Sequence, residues 1–394
     1  MAENHLLPSQ ESYVEISSSA LEHNVRVFRK LISPQSKLGV VLKGNAYGHG
    51  LEVVLSVVYP HVDCFYLIAA KDAFLIRDYE RQHQLSRKRI VVIGVCSVTE
   101  MLQCAQLMVE VALGVTDWRR FSSVFKSQKF KLRAHLHLDT GLSREGIRES
   151  DLVHELKALK LEDSWLDIVG LMSHFANTED VTEQEYALQQ LEAFDRMSDK
   201  VEEVLGKSEK LERHFGASAA TLVLPQSRYD IVRIGISLYG MWPSNEARIS
   251  ARLILKEVPE FKPVLSWKCL SQLVKSIPKG TYVGYGCTYR CDHETVIAVF
   301  PVGYFDGYPR LASGKAHVLI HGRRCPVIGR VMMNHMIVDV TGVVQRGESE
   351  LVATLLGVDG EEKISAELIA SWAQTIHYEI VTRIGSHLQR ILVK

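Results

Sequence analysis

Through the first 240 or so residues, short apolar runs rich in β-branched residues alternate with longer stretches whose apolar positions recur every three or four residues. The short runs are "LGVVLK" (38–43), "CFYLIA" (64–69), "IVVIGV" (90–95), "VEVAL" (109–113), "LRAHLHL" (132–138), "IVGLM" (168–172), "LERHFG" (211–216) and "DIVRIG" (230–235). Segments such as "KDAFLIRDYERQ" and "TEQEYALQQLEAFDRMSDKVEEVLG" lie between them and read as helices. Eight strands alternating with helices predict an α/β fold with an N-terminal (β/α)8 barrel over 12–245. Past about residue 245 the period shortens. "LSWKCLSQLVKSI", "TYVGYGCTYR", "TVIAVFPVGY", "AHVLIHG", "RCPVIGRVM" and "HMIVDVTGVV" follow closely, with turn residues between them. One helix, "ISAELIASWAQTI", precedes a last strand, "YEIVTRI", so 246–394 reads as a mostly β domain.

In a (β/α)8 barrel the chemistry sits at the C-terminal ends of the strands. Unusual polar residues fall there repeatedly. Lys43 ends the first run, Arg144 follows the fifth in "HLHLDTGLSREG", and His174 follows the sixth in "GLMSHFANTED". Ser218 follows the seventh in "GASAA", and Gly235 and Ile236 follow the eighth in "VRIGISLYG". Small residues and a hydroxyl in the seventh and eighth loops suit a phosphate, as such loops do in many barrels. A lysine in a partly desolvated site loses basicity and attacks aldehydes. Lysine, phosphate cup and aromatic residues together point to pyridoxal 5'-phosphate. The plainer readings make Lys43 a surface ammonium, His174 a solvated loop residue and Arg233 a salt-bridge partner of Asp230.

Composition narrows the class further. Lys+Arg and Asp+Glu are both 46, so neither nucleic acid nor an anionic membrane is an expected partner. No apolar stretch reaches the roughly 18 residues of a membrane span, and the N-terminus lacks the basic-then-apolar signal pattern. Seven scattered cysteines give no disulfide framework, so a reduced, cytoplasmic setting is expected. Cys287, Cys291 and His293 lie close but lack a second ligand pair at zinc spacing, and no metal is expected.

Several motifs, in order, resemble the alanine racemase family. "VLKGNAYGHG" is similar to its cofactor-lysine motif, and "HLDTGLSREG", "SHFANTED", "VGYGCTYR", "PVGYFDGYPR" and "GRVMMNHMIVDVT" resemble five others, together spanning residue 12 to the end. The resemblance implies a homodimer with shared active sites that interconverts L- and D-alanine, feeding peptidoglycan. Position by position, Lys43 carries the cofactor and is one of two acid–base groups, and Tyr285 is the other. Tyr47, Ser218, Tyr378 and the backbone of Gly235 and Ile236 hold the phosphate. His174 packs on the pyridine ring and Arg233 faces its nitrogen. Arg144 and the Met333 backbone meet the substrate carboxylate, with Tyr285 and Met333 supplied across the dimer.

Three positions depart from that pattern. His137 stands where the family often has a carbamylated lysine that steadies the arginine, Asn334 replaces an aspartate, and Ala217 replaces an asparagine. Broad-specificity amino-acid racemases, whose substrates extend to serine, lysine and arginine, also lack that lysine and carry asparagine after the methionine. A third reading, a pyridoxal-phosphate carrier built on a single barrel, leaves the region from 246 onward unexplained.

Overall fold

The computed structural model describes residues 11–114, 117–162, 164–179, 182–206, 209–344 and 348–394. By contacts the chain divides into two units. One comprises Leu21–Lys43 and Val57–Lys262; the other comprises residues up to Ala20, Gly44–Ser56 and Pro263–Lys394.

The first unit is the barrel. Its strands are β1 (Lys37–Val41), β2 (Cys64–Leu67), β3 (Arg89–Val92), β4 (Glu110–Leu113), β5 (Leu132–Asp139), β6 (Leu166–Met172), β7 (Glu212–His214) and β8 (Ile231–Ile234). Each pairs in parallel with the next from β1 to β7, and β8 returns to β1 with Ile231 opposite Lys37. The β7–β8 seam lacks a full ladder. The Asp230 N–H donates to Arg213 O (3.1 Å), the Arg233 N–H donates to Gly216 O (2.9 Å), and Ala217 bridges Arg233. All eight apolar runs are therefore strands of one nearly closed parallel barrel. They form it because most of their residues are buried on both faces, as parallel strands under helices require, with β7, whose Glu212 and Arg213 are half-buried, the exception.

The helices follow ordinary capping chemistry. Ser97 and Glu100 form a reciprocal capping box at the start of Val98–Gln106. The 21-residue helix Glu185–Leu205 stops at Gly206, whose left-handed backbone (φ 59°) lets its N–H reach Glu202 O. Helix Asn245–Ile254 packs with the barrel unit, beyond the expected boundary at 245.

The second unit is mostly β. One sheet runs in the order Arg323–Pro326, His317–Ile320, Val352–Asp359, Leu265–Leu270, Ser12–Ser17, Gln389–Val393. Ser12–Ser17 thus belongs to this unit rather than to a barrel beginning at 12. Its alternating buried face pairs antiparallel with Leu265–Leu270 and parallel with Gln389–Val393. A three-stranded antiparallel sheet joins Leu273–Ile277, Thr295–Phe300 and Met336–Asp339. "YEIVTRI" is not a strand. His377–Arg383 is a helix, because its buried residues Ile380, Val381 and Ile384 repeat at helical spacing while Thr382, on the face a strand would bury, is exposed. The last strand comes later, at Gln389–Val393.

Candidate active site

β1 delivers Lys43 at its C-terminal end, where the Leu42 N–H still donates to Tyr66 O (3.0 Å). Arg144, His137, His174 and Arg233 act on the same region electrostatically, all from strand ends or inner faces of the barrel unit. Burial, then the charges of Arg144 and Arg233, lower the Lys43 ammonium below its usual range, with Glu145 opposing. His174 is pushed down to about 3 by burial and by Arg233, Arg144 and Lys43, so it is a neutral ring at neutral pH. His137 is held at about 4 by burial, Arg233 and Arg144. Of the strand-end candidates, Lys43, Arg144 and His174 are electrostatic neighbours in the structure, and His137 and Arg233 join them.

The loop after β5 is built from its own polar groups. Asp139 Oδ1 accepts the N–H groups of Gly141 and Ser143, both at 3.0 Å. Thr140 Oγ1 meets Ser173 Oγ at 2.9 Å, which ties this loop to the end of β6. Arg144 projects from the loop with its side chain 56% exposed and Glu145 3.6 Å away. His137, two residues before Asp139, is buried and makes no hydrogen bond to Arg144. Glu145, rather than His137, is the charged side chain that the structure pairs with Arg144.

Arg233 is 3% exposed and is not paired with Asp230, which instead takes Lys210 and the Arg213 N–H. Its Nη1 donates to His214 Nδ1 and to His214 O, both at 2.7 Å. Its Nη2 donates to Ser173 O (2.6 Å) and Phe215 O (2.9 Å), with His174 Nδ1 at 3.4 Å. Nε–H is the donor left without an acceptor among the described residues. Burial lowers the guanidinium to about 10, which still leaves it charged. Beside it, Ser218 Oγ accepts the Gly235 N–H at 3.0 Å, and Ile236 opens the short turn Ile236–Tyr239. The two phosphate-loop candidates thus meet at one point.

The β unit holds the remaining candidates. After Lys43 the backbone makes a turn of inverted hand: Gly44, Asn45, Ala46 and Tyr47 have φ of 61°, 55°, 54° and 54°. Its hydrogen bonds run from Gly48 N to Gly44 O (2.9 Å) and Gly50 N to Asn45 O (3.0 Å), and Asn45 Oδ1 caps the Leu51 N–H (2.8 Å). Gly48 is obligatory, since a Cβ there would strike Val381 O. The Tyr47 and Tyr378 ring centroids lie 6.4 Å apart. Tyr285 sits in a tight turn, Tyr285–Cys287, between Tyr282–Val283 and Tyr289–Arg290, and is 71% exposed. Met333 is 54% exposed in a loop whose Met332 and Met333 carbonyls accept the N–H groups of Tyr304 and Phe305, both at 3.0 Å.

Three participants escaped the sequence reading: Glu110, His135 and His214, which back Arg233 inside the barrel. One signal was available. His135 and His137 are two apart on β5 and so point to the same, inward face.

Comparison with known proteins agrees with this architecture. A model of the alanine racemase N-terminal domain matches residues 16–243, and one of the alanine racemase C-terminal domain matches 264–392. The chain is 34% identical over 391 residues to an alanine racemase of Leptospira interrogans serovar Lai, covering 97% of this chain and 96% of that one. Its structure is similar to that of alanine racemase from D-cycloserine-producing Streptomyces lavendulae, with a TM-score of 0.86, 29% identity and 98% of each chain covered. It is also similar to the Bacillus anthracis alanine racemase solved with bound L-Ala-P, with a TM-score of 0.87 and 28% identity over 98% of this chain and 95% of that one.

Proposed function

The chain belongs to the alanine racemase family, and from that membership we propose that it interconverts L- and D-alanine with pyridoxal 5'-phosphate, using Lys43 and Tyr285 as opposed acid–base groups. The observation that carries this reading is the lysine at the end of β1, made less basic by burial and two guanidinium groups inside the barrel unit.

The residues fit the cofactor. An aldehyde is matched by the weakened Lys43 amine. A ring nitrogen without a proton is matched by the Nε–H of Arg233, the guanidinium N–H for which no hydrogen bond appears among the described residues. A flat ring is matched by His174, an uncharged imidazole. A phosphate is matched by the Ser218 hydroxyl, the backbone at Gly235 and Ile236, and the phenols of Tyr47 and Tyr378. When bound, pyridoxal phosphate supplies an electron sink that acidifies the substrate Cα–H.

The chain's own groups then do the rest. Racemisation needs one proton taken from one face of Cα and another given to the opposite face, so two groups must flank it. Lys43 Nζ holds the proton on one face and Tyr285 Oη on the other. Arg144 binds the substrate carboxylate, and the Met333 backbone meets the same carboxylate. Arg233 stays charged beside the ring nitrogen and disfavours a proton there, which moderates the electron sink and discourages transamination. In a homodimer with head-to-tail contacts, Tyr285 and Met333 serve the partner's site. Their exposure, with that of Phe305 at 62%, suits a face covered by a second copy.

His137 and Asn334 favour a second reading, in which side chains larger than alanine are accepted as well. The decisive experiment is chiral chromatography of the purified chain with a panel of L-amino acids including alanine, serine, lysine and arginine. Conversion of alanine alone supports the first reading, and comparable rates for serine or the basic amino acids support the second. No racemisation, or a visible cofactor band that borohydride does not fix to Lys43, would sink both. Supply of D-alanine to peptidoglycan is proposed with the first reading. Among the described residues no helix is long and apolar enough to cross a membrane, and a cytoplasmic site of action is proposed from the scattered thiols.

A further inference from the structure

The interior of a barrel of this kind is ordinarily filled by branched apolar side chains. Here it holds a continuous polar chain. Glu110 on β4 meets His135 Nε2 at 2.7 Å. His135 Nδ1 on β5 meets His214 Nε2 on β7 at 2.8 Å, and His214 Nδ1 meets Arg233 Nη1 on β8 at 2.7 Å. All four residues are at most 5% exposed. The backbone leaves room for them: a side chain at Gly170 on β6 would strike the His135 ring, and one at Gly39 on β1 would strike Tyr66, whose ring lies 5.4 Å from that of His214.

The chemistry of the two ends dictates the middle. Arginine can only donate, so His214 Nδ1 must accept and the His214 proton sits on Nε2. His135 Nδ1 must therefore accept from it, and the His135 proton sits on its own Nε2. That proton is donated to Glu110, whose carboxylate can only accept. Burial raises the Glu110 carboxyl, but the His135 hydrogen bond and the charges of Arg89 and Arg133 oppose it, so it stays ionised. Every donor points from Arg233 toward Glu110, and only one arrangement of protons satisfies the chain. A buried guanidinium with no carboxylate of its own thereby reaches one two imidazoles away.

We propose that Glu110 and His135 are positioning residues of the reaction, acting through His214 to fix the orientation of Arg233 toward the cofactor's ring nitrogen. The proposal rests on the racemase reading above. Neither residue touches substrate or cofactor; both set how Arg233 is aimed and how its charge is balanced. The remaining ion pairs of this region, Arg89 with Glu110 (2.8 Å) and with Glu212, and Arg133 with Glu110 (3.2 Å), lie at the opposite mouth of the barrel and anchor the far end of the chain.

The test uses the full chain, labelled with 15N-histidine, with and without pyridoxal phosphate. Without cofactor, long-range 1H–15N spectra read each imidazole's tautomer, with His135→Gln and His214→Gln identifying the two rings. Both are expected as Nε2–H tautomers with Nδ1 unprotonated. An Nδ1–H tautomer or a doubly protonated ring at either position overturns the proposal, whatever the activity. With cofactor, His135→Phe is expected to lower kcat about tenfold or more, to change KM by less than about threefold, and to shift the cofactor's absorption band and its pH dependence. His135→Gln, whose amide accepts on one side and donates on the other, is expected to recover kcat to within about threefold of the parent. Glu110→Gln, a milder change that keeps an acceptor but no charge, is expected to move the pH profile even if the phenylalanine variant does not fold. Glu212→Gln breaks neighbouring ion pairs without touching the chain and is expected to leave band and profile in place. Equal losses in His135→Phe and His135→Gln, or an unmoved pH profile in Glu110→Gln, overturn the proposal. A parent chain with both tautomers in place that racemises no amino acid overturns the racemase reading, and this role with it.

Discussion

Lys43 and Tyr285 are presented in opposite ways. Lys43 lies at the end of a buried strand, among guanidinium and imidazole groups of its own unit, and that surrounding alone lowers its basicity. Tyr285 stands on a short turn with 71% of its surface open, near other exposed apolar residues of the β unit. One proposed acid–base group comes with its environment within the chain; the other does not. The contrast sets a prepared half, Lys43 in its barrel unit, against Tyr285, the half that we propose a second copy completes. It also separates what mutation should do at each end.

The largest effect is expected at the prepared half. Lys43→Ala should abolish borohydride-fixable visible absorbance and reduce racemisation by about 10³-fold or more, read by spectroscopy and chiral assay. Retained racemisation would erase the distinction between the halves. Tyr285→Phe is expected to cost about 10² to 10³-fold in kcat while cofactor affinity stays unchanged. Solvent hydrogen should still exchange at Cα of one enantiomer and not of the other. Equal loss for both enantiomers removes the two-base assignment. Mixing Lys43→Ala with Tyr285→Phe chains sharpens the comparison: if the sites are shared, mixed dimers recover activity at one intact site, and chains that each complete their own site recover none.

A pH experiment probes the barrel half alone. Burial, Arg233 and Arg144 hold His137 at about 4, below the ordinary value of about 6.5. The unfolded chain therefore binds one more proton between those limits, so stability is full above about pH 6.5 and declines as the pH falls toward 4. For this single group the decline is about 3 kcal/mol. Urea titrations of the cofactor-free chain should show a shallower acid branch in His137→Gln, and an identical branch would mean the ring is not held neutral. The smallest effect belongs to the turn after Lys43. Ala46→Gly is expected to stabilise by about 1 kcal/mol by relieving a left-handed alanine, whereas Ala46→Val should destabilise by about 2 kcal/mol. Thermal melts of both variants compare directly.

The barrel was legible because most residues of its eight apolar runs are buried on both faces, so most runs show as blocks that flanking polarity cannot disguise. The helix His377–Arg383 was not. Its β-branched residues read as a strand until burial shows Ile380, Val381 and Ile384 on one helical face. Ser12–Ser17 was not read as a strand and fell inside the expected barrel bounds, because pairing with Leu265–Leu270 is a contact across most of the chain and leaves no local trace. Among the candidate residues, those at strand ends stand out by position and by the family motifs. Glu110, His135 and His214 do not, because each alone resembles an ordinary polar residue inside a strand, and only the closed barrel brings them into line. The hand of the turn after Lys43 was also hidden, since Asn45, Ala46 and Tyr47 carry no common preference for positive φ.

That turn has a consequence in mirror-image chemistry. A run of residues with φ near +55° is the conformation that D-amino acids adopt without strain, whereas each L-residue other than glycine pays about 1–2 kcal/mol to enter it. A chain assembled by ligation with D-alanine at position 46 should therefore hold its lysine loop more firmly than the natural one. The proposed product of this protein is, by handedness, a better fit to its own backbone at that position than the residue its gene encodes.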